Sequence, residues 1–111
     1  MKQNVNALQE FVRLFNQGNY FESHELLEKT WAESKGKEKL FFQGLIQAAV
    51  ALHHFQKKNL KGSKYELEKS IQKLKVFTPR YYGLEVGRLV QETDAFINKM
   101  QLELPNIKYH A

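Results

Sequence analysis

The stretch KEKLFFQGLIQAAVALHHFQKK, residues 37–58, decides the fold. Its apolar residues Leu40, Phe41, Phe42, Leu45, Ile46, Ala48, Ala49, Val50, Leu52 and Phe55 fall on nearly every side of a helical wheel. A helix without a polar face buries most of its perimeter, so it belongs at the centre of a bundle. Gly44 and the two alanines suit close approach by neighbouring helices. Lys57 and Lys58 complement the negative C-terminal end. Lys35-Gly36 breaks the chain before this helix, and Asn59 supplies a turn after it.

Four further helical segments are expected around it. The first, about Asn4 to Gln17, repeats Val5, Leu8, Val12 and Phe15 at the spacing of one helix face. Gly18 can take the left-handed conformation that ends it. The second runs from about Asn19 to Ser34, with Asn19 and Glu22 spaced as a capping box and with Tyr20, Leu27 and Trp31 buried. The fourth, Leu60 to about Phe77, buries Leu60, Leu67, Ile71 and Leu74, and Thr78-Pro79 stops it. Tyr81-Tyr82-Gly83 connects to the fifth, about Leu84 to Leu102, with Val86, Leu89, Val90, Thr93, Phe96, Ile97 and Met100 on one side. Pro105 falls in a C-terminal tail, 103–111. No β-alternation interrupts this pattern. The fold class is all-α, a compact bundle of about five helices with short loops and antiparallel neighbours.

Composition agrees. The chain has 111 residues, 42% hydrophobic and 26% charged, with no cysteine and two prolines. That length suits one domain spanning 1–111 and is too short for two cores. The absence of cysteine excludes disulfides, thiol catalysis and Cys-based zinc sites, and fits a reducing compartment. No secretory h-region is visible near the start. The run Leu40–Leu52 is shorter than the roughly 20 residues of a membrane span. A cytoplasmic protein with no membrane partner is expected.

Residues 15–29 (FNQGNYFESHELLEK) align with 55–69 (FQKKNLKGSKYELEK) at six of fifteen positions. Such a likeness arises when two helix junctions use the same kinds of capping residue, and it is read here in that way. A true repeat would make each half a helix–turn–helix unit of a helical scaffold.

Two polar stripes sit where a packed bundle should be apolar. His24 shares a face with Tyr20, Leu27 and Trp31, and Glu28 lies one turn beyond it. On the third helix Gln43, Gln47, Val50 and His54 fall in line. Antiparallel packing of the two helices lets the stripes meet. One reading is a satisfied polar network that fixes helix register. The other is a small-molecule or partner pocket, or a divalent-metal site with His24, Glu28 and His54 as ligands and Gln47 orienting substrate or water. That site would support metal-activated hydrolysis. His53 points about 100° away from His54, so both would not serve one ion. His110 lies in the tail.

The net charge of +5 is unevenly placed. Residues 57–80 carry eight basic and two acidic side chains, a net +6, which leaves −1 for the rest. Lys57, Lys58, Lys61, Lys69, Lys73 and Arg80 form a basic surface. Such a surface suits nucleic acid or an acidic protein, with binding that falls steeply with salt. No phosphate loop, nucleophile elbow or kinase signature is present.

Together, Phe15-Asn16-x-Gly18-x-Tyr20-Phe21-Glu22-x-His24-Glu25-x-x-Glu28-x-x-Trp31 and Gly44-Leu45-Ile46-Gln47-x-Ala49, followed by His54 and Asn59-x-x-Gly62, resemble the signature of the prokaryotic domain of unknown function 309. Pro79 with Tyr82-Gly83 is similar to a third, weaker element, and the likeness spans about residues 11–90. The resemblance implies a small all-helical fold and a prokaryotic cytoplasmic origin. It carries over His24, Glu25, Glu28, Trp31, Gln47 and His54 as signature positions, but it supplies no reaction. With Gln43 these residues make the candidate pocket. Substrate, enzymatic activity and oligomeric state, a homo-oligomer included, are left open.

Overall fold

A computed structural model of the chain describes residues 2–101, with side chains from residue 4 onward. Five helices account for most of it: α1 (Lys2–Asn16), α2 (Tyr20–Glu33), α3 (Gly36–Gln56), α4 (Leu60–Leu74) and α5 (Val86–Gln101). A short 3₁₀ turn, Lys75–Phe77, follows α4. Among the described residues no strand forms, and one bridge pairs Tyr81 with Leu84. The tail 103–111, with His110, lies outside the described residues.

α3 is central, as its apolar perimeter requires. Phe41, Phe42, Leu45, Ala48, Ala49 and Ala51 are all buried. Each buried large side chain of this kind contributes about 1.5–3 kcal/mol relative to exposure. Phe41 anchors the main core, with Phe77, Tyr81 and Tyr82 ring centroids at 5.3, 4.8 and 6.0 Å. The aromatic connector therefore packs against the core. A second cluster gathers Ala51, Leu67, Ile97 and Met100 beside the Phe55–Phe96 edge contact. On α1 the buried residues are Leu8 and Phe11, while Val5 at the expected apolar face is exposed.

α3 and α4 meet through small residues. Gly44, Ser63 and Ser70 are buried between them, and the Ser70 hydroxyl donates to the Gly44 carbonyl at 2.7 Å. Glu38, at the start of α3, accepts from the Asn4 amide at 3.2 Å and from the Tyr82 hydroxyl. The N-terminal helix and the connector are thereby pinned to the same point.

The α1–α2 and α3–α4 turns share one backbone design. The N–H of Gly18 donates to Phe15 at 3.0 Å and that of Asn19 to Leu14 at 2.9 Å. Forty residues on, Lys58 donates to Phe55 at 2.9 Å and Asn59 to His54 at 2.8 Å. Gly18 and Lys58 both adopt positive φ, +82° and +63°, the conformation that closes a helix C-terminus. Ser23 and Ser63, also forty residues apart, are both fully buried.

The capping explanation of the sequence likeness does not hold. Asn59 accepts from the Gly62 N–H at 3.0 Å, whereas the Asn19 side chain makes no capping bond and turns to Gln17 instead. The likeness is one of backbone path, and the two hairpins are joined where Gln56 donates to the Gly18 carbonyl at 2.9 Å.

Candidate functional site

The two polar stripes meet in part. A groove of about 470 Å³ runs between α2 and α4 with α3 as its floor. Glu28, Trp31 and Ala32 line it from α2; Gln43, Ile46, Gln47 and Val50 from α3; Glu66 from α4. The register follows from helical spacing. Residues 28, 31 and 32 share one side of α2, and 43, 46, 47 and 50 share one side of α3.

Two polar atoms in this lining are buried without a hydrogen-bond partner: the Trp31 Nε1 donor and the Gln47 Oε1 acceptor. Both residues are only partly covered overall, so each side chain remains part of the groove wall. The Lys39 ammonium lies 4.6 Å from the Trp31 ring centroid, which occupies the face of the indole and leaves its N–H free.

His24 stands one turn from the groove and pairs with Glu28. Its Nδ1 lies 2.6 Å from the Phe21 carbonyl oxygen and its Nε2 lies 3.3 Å from the Glu28 carboxylate. A carbonyl and a carboxylate bracket the ring, which donates to both only when both nitrogens carry hydrogen. The imidazole is largely covered while the carboxylate is exposed, so His24 holds Glu28 at the mouth of the groove.

Three sequence expectations need correction. His24 and Glu28 pair with each other, but no group of three His, Asp or Glu that could hold an ion occurs among the described residues. His54 does not complete a ligand set with them. The histidine that reaches α2 is His53, whose ring lies 5.4 Å from that of Phe21. Phe21 in turn lies 5.1 Å from the His24 ring. The 100° separation of neighbouring positions on α3 turns His53, not His54, toward this end of α2. Glu25 is exposed and does not line the groove.

Glu66 was not singled out by its sequence, since the charged residues of the fourth helix read as a solvated face. The signal was available: Ser63, Glu66 and Ser70 recur at helical spacing, and the two serines mark the side of α4 that approaches α3.

The residues expected to form a basic surface fall in the α3–α4 turn, on α4 and in the connector after it. Lys57, Lys58 and Lys61 are exposed, and Lys69 and Lys73 are partly covered. Lys69 lies over the exposed Tyr65 ring at 4.5 Å. Arg80 is paired with Glu85, so it adds little to a basic face. No helix among the described residues is long and apolar enough to cross a membrane.

Comparison with known proteins places these features. The family model of a domain of unknown function, DUF309, matches residues 8–65, which take in both helix junctions and most of the groove. The uncharacterized protein YpuF of Bacillus subtilis is 40% identical over 76 residues, covering 66% of this chain and 44% of that protein. An uncharacterized protein of Aquifex aeolicus is 26% identical over 105 residues, covering 93% of this chain and 32% of its own length. The chain therefore spans less than half the length of these curated relatives. A crystal structure of a conserved hypothetical protein from Thermus thermophilus superposes with a TM-score of 0.71 at 30% identity, covering 82% of this chain and 95% of that one. The chain belongs to the DUF309 family, an all-helical domain of unknown function.

Proposed function

We propose that this chain is a binding module, and that the groove between α2 and α4 receives a peptide-like ligand able both to accept and to donate hydrogen bonds. The observation that carries this reading is the orphaned pair in one lining, Trp31 Nε1 and Gln47 Oε1. A buried donor or acceptor without a partner costs about 1–3 kcal/mol. An amide group supplies a carbonyl for the indole and an N–H for the glutamine from adjacent atoms. The terminal torsion of glutamine is broad, so Oε1 can turn to the groove face at little cost. The volume lies in the range that takes small molecules or a short peptide segment.

Trp31 is the sole tryptophan, so its emission reports on the groove directly. Titration with N-acetyl-leucine amide should give a saturable change in emission that Gln47→Leu removes while the protein remains folded. No response to the amide, or a response unchanged in Gln47→Leu, would overturn the reading.

A further inference from the structure

We infer that the groove selects a basic side chain on a peptide partner, arginine ahead of lysine. This rests on the reading above and adds the charge of the ligand. Glu28 stands on one wall and Glu66 on the other, with Gln47 on the floor between them. The lining contains no lysine, arginine or histidine, although the chain carries 17 Lys and Arg against 12 Asp and Glu. Two carboxylates therefore face the groove, with Lys39 on the Trp31 ring and Lys69 beside Glu66 as cations next to the lining.

The acceptor capacity of these carboxylates is largely unspent. Among the described residues Glu66 forms no ion pair, and Glu28 pairs only with His24. Each ionised carboxylate has about four lone-pair sites. Glu66 is also partly covered, where a charge partner gains more than at an open surface.

Acceptors on two walls and the floor suit a guanidinium, whose five N–H groups are held in a planar fork. An ammonium offers three donors from a single point. Lys39 takes one face of the indole, and the two carboxylates offer the incoming cation charge-assisted partners that the ring does not. The free indole N–H decides between a peptide and a simple amine. It needs an acceptor, which a peptide carbonyl provides and a polyamine or agmatine lacks.

The test uses the whole chain and three probes: N-acetyl-arginine amide, N-acetyl-leucine amide and agmatine. Affinities come from Trp31 emission at low salt. The arginine amide is expected to bind about tenfold tighter than the leucine amide, the scale of one charge-assisted hydrogen bond. That advantage should shrink with added salt and disappear in Glu66→Gln, with Glu28→Gln as the second variant. If the two amides bind equally, or if both variants keep the ratio, the charge inference fails while the groove reading stands. Agmatine binding as tightly as the arginine amide overturns the peptide assignment. If none of the probes alters the emission, both the inference and the groove reading fall.

Discussion

Gly44→Ala tests the α3–α4 contact on which the floor of the groove depends. A Cβ at this position would lie 2.8 Å from Leu74 Cδ2, 2.9 Å from Leu74 Cγ and 3.3 Å from Lys73 Cβ. Leu74 is 1% exposed and packed in the main core, so moving it disturbs its neighbours. Overpacking of this kind costs about 1–3 kcal/mol. Separating the helices also stretches the buried Ser70–Gly44 hydrogen bond, worth about 0.5–1.5 kcal/mol. Against this, alanine is a better helix former than glycine by about 1 kcal/mol. The balance is a loss of about 1–2 kcal/mol, or a fall in Tm of roughly 4–8 °C for a domain of this size.

Circular-dichroism melts and urea titrations read both quantities. Leu74→Ala makes its own cavity but removes the clashing atoms. The double variant should therefore show a favourable coupling of about 1 kcal/mol between the sites. A Gly44→Ala protein as stable as wild type, or strictly additive variants, would refute this account of the interface.

Gln47→Leu should raise Tm by a few degrees, because it removes a buried acceptor that has no partner; a fall in Tm would mean that the amide is paired in solution. Asn59→Ala should cost about 1 kcal/mol by urea unfolding, whereas Asn19→Ala should cost much less. Only Asn59 makes a capping bond, and equal losses would contradict that. Tyr82 is raised above the usual tyrosine value, first by burial and then by its hydrogen bond to Glu38. Its neutral phenol is favoured by the fold, so its contribution is complete below pH about 10 and is lost as pH rises through the folded value. Phenolate absorbance should show the wild-type minus Tyr82→Phe difference appearing only above that pH; an earlier onset would contradict the burial.

The central helix was legible because its apolar residues fall on nearly every side, a pattern that forces burial of most of its perimeter. Gly18 was legible because a left-handed helix end favours glycine. Lys58 was not, since a lysine at positive φ has no signature in a single sequence. The same limit hid the nature of the internal likeness. Matching residues at 15–29 and 55–69 pointed to caps, but what recurs is a path of backbone hydrogen bonds, and these depend on dihedral angles, not on side-chain identity.

The candidate site was half legible. Periodicity brought Glu28 and Trp31 into line with Gln43 and Gln47, because each set lies on one face of its own helix. It could not fix how far α3 rotates against α2. That rotation gave the contact with Phe21 to His53 and left His54 out. Nor could it choose which glutamate of α4 turns inward, a matter settled by the small serines on either side of Glu66.

The central claim is that Trp31 and Gln47 hold hydrogen-bonding capacity for an external amide. The most direct measurement is the indole N–H signal of ¹⁵N-labelled protein, a single cross-peak because Trp31 is the sole tryptophan. On addition of N-acetyl-arginine amide, the account predicts a saturable downfield shift of the indole proton as a carbonyl accepts from Nε1, weakened in Gln47→Leu. An indole signal that stays in place throughout the titration would contradict it.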